Sequence, residues 1–217
     1  INLEYWTNQI EKARKIKKNN IHFITYSNHV FEKAKQRISK EANDFGVFSS
    51  ISSLGPDDLP SEFREKFSNI LELSRIAGCG IWRPMIILNK LKTMKDGEFL
   101  LYLDAGCTLN INAKKRFYEY LDLFSNNDMG IMTIQMTGNK FGTLCKENHY
   151  TRKEVFEYFN IDPNSGIGNS AQCLSGVLLM RKNEHLMNII KLWLKAVYDN
   201  VFMFTDLELS KQHIEFI

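Results

Sequence analysis

Asp104 stands at the end of an unbroken apolar run, Phe99-Leu100-Leu101-Tyr102-Leu103, and is followed at once by Ala105 and Gly106. Such a run reads as a buried strand, and the rim beyond a strand's C-terminal end is where open α/β sheets bind ligands. A carboxylate there can ligate Mg²⁺ or Mn²⁺ beside phosphate oxygens and water. It can equally close an Asx-turn onto a nearby backbone N–H. On this segment alone both readings stand. Gly106 lets a diphosphate come close to the backbone.

Three further segments carry polar chemistry beside apolar runs. Thr25-Tyr26-Ser27-Asn28 leaves the first strand; its hydroxyls and amide can read a nucleobase edge and the Tyr ring can stack on it, while plain turn chemistry explains the same residues. Gln172, Ser175 and Gly176 lie in or before a late strand, where a mid-strand glycine marks a bulge, a close ligand approach or packing on a helix. Arg83 precedes Pro84 at a helix start and can grip a diphosphate or a pair of sugar hydroxyls, or lie on the surface. Trp82 beside it reads as core. Lys35 and Arg37 share the helix after the first strand and read as solvated, with one pointing back to the pocket as the alternative. Gly78-Cys79-Gly80 is half a dinucleotide fingerprint without its strand and carries little weight. The five His are scattered, and neither a phosphate-loop motif nor a G-x-S-x-G nucleophile motif is present.

These residues must be positioned by alternating elements. Strands are expected at 21–25, 47–51, 99–103, 130–135 and 173–180. Helices are expected at 30–42, from Ser61 through Leu71, from Pro84 to about Lys92, from Asn112 through Leu123, and from Asn183 to about Tyr198. A short helix is expected to begin with the reciprocal cap Thr151-x-x-Glu154. Residues 1–18 read as a basic amphipathic helix, either packed on the domain or linking to an upstream module. Strand–helix alternation predicts an α/β fold with a mainly parallel sheet over residues 19–217.

With 217 residues, 44% hydrophobic content and 24% charged content, the chain fits one large globular domain. A net charge of +3 is too small to argue for nucleic acid and does not repel a diphosphate. The four cysteines are widely spaced without a zinc pattern, so free thiols in a reducing, cytoplasmic setting are expected. No stretch approaches a membrane span, leaving at most a peripheral membrane contact. The chain begins with Ile, so additional domains are expected in a longer protein.

Three blocks carry a resemblance: Phe23 to Asn28 with Ala34 to Ile38, Gly80-Ile81-Trp82-Arg83-Pro84-Met85-Ile86-Ile87, and Asp96 to Gly106. A weaker fourth is Gln172 to Gly176 with the helix containing Trp193. Together they resemble bacterial and viral nucleotide-sugar-dependent glycosyltransferases of the GT-A fold, over about residues 21–206. The resemblance implies transfer of a sugar from a nucleoside-diphosphate sugar, foremost a UDP-sugar, to a carbohydrate or other hydroxyl acceptor. It implies a nucleotide pocket formed by Thr25, Tyr26, Ser27, Asn28 and Ala105, and a donor site with Arg83, Gly106, Gln172, Ser175 and Gly176. Asp104 falls at the metal-binding Asp-x-Asp position, which here reads Asp104-Ala105-Gly106. The second acid is absent, so Mn²⁺ or Mg²⁺ would rest on Asp104 alone. Asp206 is the candidate base or acceptor contact, with a helix cap as its alternative. Asp104→Ala is expected to abolish donor turnover and leave the fold intact. The reading from another class is a catalytically silent module that binds a sugar nucleotide or glycan.

Overall fold

The computed structural model describes residues 21–125, 128–136 and 145–205. The expected helix at 1–18, Asp206 and the chain after it lie outside the described residues.

Five strands form one sheet: β1 (Ile21–Tyr26), β2 (Ser50–Leu54), β3 (Phe99–Leu103), β4 (Ile131–Gln135) and β5 (Cys173–Arg181), in the order β2-β1-β3-β5-β4. The longest helices flank it: α1 (Glu32–Phe45), α2 (Arg83–Thr93), α3 (Lys114–Ser125) and α4 (Glu184–Asp199). The fold is α/β, as expected. The sheet is mixed: β1 pairs in parallel with β2 and β3, whereas β5 pairs antiparallel with both β3 and β4. A buried apolar run such as Val177–Met180 reads the same in either direction, so its pattern does not tell that β5 slots backwards between β3 and β4. Because β3 and β4 both oppose β5, four strands end at one edge of the sheet, and β5 begins there.

Alternation along the strands builds two apolar layers. Ile24, Tyr26, Leu100, Tyr102, Leu178 and Met180 face α2 and α4; Phe23, Leu101, Leu103 and Leu179 face α1 and α3. Pro84 sits in the first turn of α2, where its missing N–H costs nothing. The Asn183 side chain accepts a hydrogen bond from the Leu186 N–H and caps α4, whose Leu186, Ile190 and Val197 are buried. The Thr151 cap does not form: Arg152 precedes that short helix without a side-chain cap, Glu154 pairs with Arg152, and the Thr151 hydroxyl turns back to Glu147. Among the described residues no helix is long and apolar enough to cross a membrane.

The opposite edge of the sheet holds a polar cluster. His22 lies 2.8 Å from Ser50 Oγ through Nδ1 and 3.2 Å from Glu98 through Nε2, and Lys90 donates to Ser50 Oγ at 2.9 Å. Burial holds the His22 pKa below its usual 6.5; Lys90 pushes the same way and Glu98 opposes. The folded chain therefore favours neutral His22. Its contribution to stability is complete above about pH 6.5 and is lost as the pH falls towards the depressed folded value. Between about pH 7.5 and 5.5 the melting temperature of the wild type is expected to fall more steeply than that of His22→Gln. Parallel melting curves across that window would refute the assignment.

Candidate functional site

The site forms where β1 and β3 end, β5 begins and α2 starts. Asp104 follows β3 two residues after Tyr102, so both side chains point to the α2 face. There the guanidinium of Arg83, only 6% exposed, is gripped on three sides. Nη2 donates to Asp104 Oδ1 at 3.0 Å and to Oδ2 at 3.3 Å, Nε to the Tyr102 hydroxyl at 3.1 Å, and Nη1 to Ser175 Oγ at 3.2 Å. The Tyr102 hydroxyl in turn donates to Asp104 Oδ1. Burial works against the charge on Arg83, but Tyr102 and Asp104 outweigh it and its pKa lies above the usual value. Burial, with Asp104 assisting, likewise raises the Tyr102 phenol and keeps it protonated. The guanidinium also lies 5.2 Å from the Trp82 ring and 5.5 Å from the Tyr102 ring.

Two glycines make room for this pair. A Cβ on Gly176 would fall 2.6 Å from Asp104 Oδ2, and one on Gly80 would fall 3.1 Å from Arg83 Nη1. Gly176 is thus required by an internal carboxylate, whatever ligand approaches. Gly80 closes a run in which Ile76, Ala77, Gly78, Cys79 and Gly80 all have positive φ, a left-handed turn that is costly for the side-chain-bearing residues. Trp82 Nε1 holds it by donating to the Ala77 carbonyl at 2.9 Å. Gly78-Cys79-Gly80 therefore shapes a wall and is no phosphate loop.

A cleft of about 250 Å³ opens beside the pair, its lining drawn from the apolar or aromatic Tyr26, Phe31, Ile76, Ala77 and Trp82 together with Ser27, Asp104, Ala105 and Gly106. That volume seats one ring and a polar group; a whole sugar nucleotide would extend beyond it. A larger cavity, about 640 Å³, lies on the α3 face of the sheet against Leu103, Phe117, Met132 and Val177. It has no charged residue in its lining and offers nothing to an anion.

The expected site residues divide. Ser27, Asp104, Ala105 and Gly106 line the cleft, and Arg83, Ser175 and Gly176 stand behind it. Tyr26 also lines it, but is 3% exposed and stacked on Trp82 at 3.9 Å, so little of its ring is left for a base. Thr25 is fully buried on the opposite face of β1, as strand alternation requires, and its hydroxyl has no partner among the described residues. The Asn28 amide accepts from the Val30 N–H at 3.1 Å and caps the turn His29–Phe31, the turn reading of that residue. Gln172 pairs through its backbone with Cys145 and Met136, before β5 reaches the site. Gly106 is exposed, and a Cβ there would meet nothing within 4 Å, so no packing need among the described residues explains it.

Asp104 is, among the described residues, the one carboxylate in the lining of the cleft, and a guanidinium already holds it. Among the described residues no group of three or more His, Cys, Asp or Glu is placed to hold a cation. The donor set for Mn²⁺ or Mg²⁺ among the described residues is thus Asp104 alone, with the Arg83 guanidinium on the same oxygens, and no step below runs through a metal.

Sequence reasoning missed Tyr102, hidden in an apolar run although its hydroxyl lies two residues from Asp104. It read Lys35 and Arg37 as solvated, with one pointing back to the pocket as the alternative; the Arg37 side chain is 40% exposed and also takes the second course. Arg37 donates to the Ala105 and Cys107 carbonyls at 3.2 and 2.8 Å. Its spacing from Glu41 gave the only signal, and an i,i+4 pair is ordinarily a surface feature. Comparison with protein-family models, with curated proteins and with solved structures found no match.

Proposed function

We propose that the chain is a glycosyltransferase that moves a sugar from a nucleoside-diphosphate sugar, foremost a UDP-sugar, to a hydroxyl of a carbohydrate acceptor. The resemblance of its sequence blocks to GT-A-fold enzymes suggests this reading. The observation that carries it is the meeting, in one cleft at the ends of β1 and β3, of an aromatic wall, the Ala105-Gly106 backbone and the Arg83–Asp104 pair.

In the transfer the bond from the anomeric carbon to the diphosphate oxygen breaks, a bond to the acceptor oxygen forms, and the acceptor proton must be removed. The Asp104 side chain is 35% exposed and held from behind by Arg83, so it accepts hydrogen bonds from ribose or sugar hydroxyls in a fixed orientation. Arg83 is largely neutralised by Asp104, so its field on the departing diphosphate is that of a dipole rather than a free cation. The Gly106 backbone N–H supplies further stabilisation. Asp206, the proposed base, lies outside the described residues.

The second reading, a silent sugar-nucleotide or glycan-binding module, is favoured by the same pairing, which among the described residues leaves no unpaired carboxylate in the cleft lining. Incubation with UDP-, GDP- and dTDP-sugars separates the two. Thermal shift reports binding by mass action, and nucleoside diphosphate release reports turnover. A UDP-sugar is expected both to raise the melting temperature and to be consumed, with the shift surviving chelation by EDTA. A shift without release would favour the silent module, and no shift with any donor would remove the glycosyltransferase and sugar-nucleotide-binding readings and leave only glycan binding.

A further inference from the structure

The loop after β3 is tied to α1 by one pair of side chains. Arg37 Nη2 donates to the carbonyls of Ala105 (3.2 Å) and Cys107 (2.8 Å), and Nη1 to Thr108 Oγ1 (3.2 Å) and Glu41 Oε1 (2.7 Å). Glu41 Oε2 accepts the Leu109 N–H at 2.8 Å. The fork of a guanidinium can hold two carbonyls at once, which the single ammonium of a lysine does not reproduce in fixed geometry. No peptide here is cis, and a trans peptide carries its C=O and N–H on opposite sides. With the Ala105 carbonyl drawn to Arg37, the Gly106 N–H is turned away from α1, in a residue that lines the cleft. The loop's own tie, from the Cys107 N–H to the Asp104 carbonyl at 2.9 Å, leaves the Ala105–Gly106 peptide to be oriented by Arg37.

We propose that Arg37, braced by Glu41, is the positioning residue of this site: it fixes the Ala105–Gly106 peptide so that the Gly106 N–H is offered to an anionic oxygen of the ligand. That anion is the diphosphate if the glycosyltransferase reading holds, and the proposal rests on that reading for the identity of the ligand only. Arg37 acts through the peptide and does not itself touch the ligand.

The test uses the full chain as wild type, Arg37→Met, Arg37→Lys and Glu41→Gln. The first readout needs no ligand. Cys107 lies in the clamped loop, half-buried, with its thiol against the Gly176 carbonyl. Its alkylation by N-ethylmaleimide is followed by mass spectrometry relative to Cys145 in the same molecule. Arg37→Met is expected to accelerate Cys107 by about tenfold to a hundredfold, the range set by losing hydrogen bonds to a charged group, and to leave Cys145 unchanged. Glu41→Gln, a milder change that keeps the shape, moves Cys107 in the same direction and serves if Arg37→Met does not fold. The second readout is thermal shift by UDP against uridine. Arg37→Met should lose the extra shift that the diphosphate adds and retain the shift given by uridine. Arg37→Lys should resemble Arg37→Met. Unchanged Cys107 rates in the variants, or full rescue by Arg37→Lys, would overturn the proposal. If wild type responds to neither UDP nor uridine, the glycosyltransferase reading fails, while the Cys107 rates still decide whether Arg37 positions the loop.

Discussion

Asp104→Ala is expected to destabilise the chain more than Arg83→Met does, although the two residues share one ion pair. The difference lies in what each leaves behind. Without Asp104, a guanidinium with an 8% exposed side chain keeps only neutral partners, Tyr102 and Ser175. Stranding a buried charge costs roughly 3 kcal/mol. Without Arg83, the remaining carboxylate is 35% exposed and can hydrate, so the loss is smaller, on the order of 1 kcal/mol. The double substitution Arg83→Met/Asp104→Ala removes both charges and should recover part of the larger loss. Denaturant unfolding of the four proteins gives the cycle directly. Equal costs for the two single variants would show that Arg83 is hydrated in solution and that the pair is not a buried one. All three variants are expected to lose sugar transfer. Asp104→Ala is therefore expected to fold with reduced stability, because the residue is also the counter-charge of a buried cation.

Gly176→Ala is expected to remove transfer with a single methyl group. Its Cβ would lie 2.6 Å from Asp104 Oδ2 and 3.1 Å from Cγ, so the carboxylate must swing away from Arg83. A displacement near 1 Å at a positioned group costs about a hundredfold in rate, and the strain of overpacking adds roughly 1–3 kcal/mol of destabilisation. Gly106→Ala is the control for stability, because its Cβ meets nothing within 4 Å; unfolding should match wild type within about 0.5 kcal/mol. Turnover numbers for Gly176→Ala near those of wild type would mean that the orientation of Asp104 does not matter to the reaction.

Much of the framework was legible from residue patterns. The five apolar residues of β3, the proline at the start of α2, and the asparagine cap and buried stripe of α4 each stand where local reading places them. The failures were local as well. Thr151-x-x-Glu154 has the spacing of a reciprocal cap, yet Glu154 is held by Arg152, which also donates to the Thr205 carbonyl, a contact from the far end of the described chain. Thr25 and Tyr26 were assigned together to one pocket, although neighbours on a strand face opposite sides.

Spacing of two along a strand and of three or four along a helix is set by backbone geometry within a few residues, so composition and order alone place the buried strand β3 with its terminal carboxylate and the starts of α2 and α4. By contrast, β2 lies at Ser50–Leu54 rather than 47–51, and the helix expected over 61–71 breaks at Phe67. Contacts between distant segments are set by sheet order. Arg83 meets Ser175 across 92 positions only because β5 turns back antiparallel beside β3. Arg37 reaches Cys107 across 70 only because α1 packs on the face of the sheet from which that loop emerges. The tertiary structure thus decided that Arg83 and Asp104 bind each other, that Gly176 makes room for that carboxylate, and that of Lys35 and Arg37 it is Arg37 that turns back to hold the site's backbone. No local periodicity encodes these pairings, because their geometry exists only once the layers have closed.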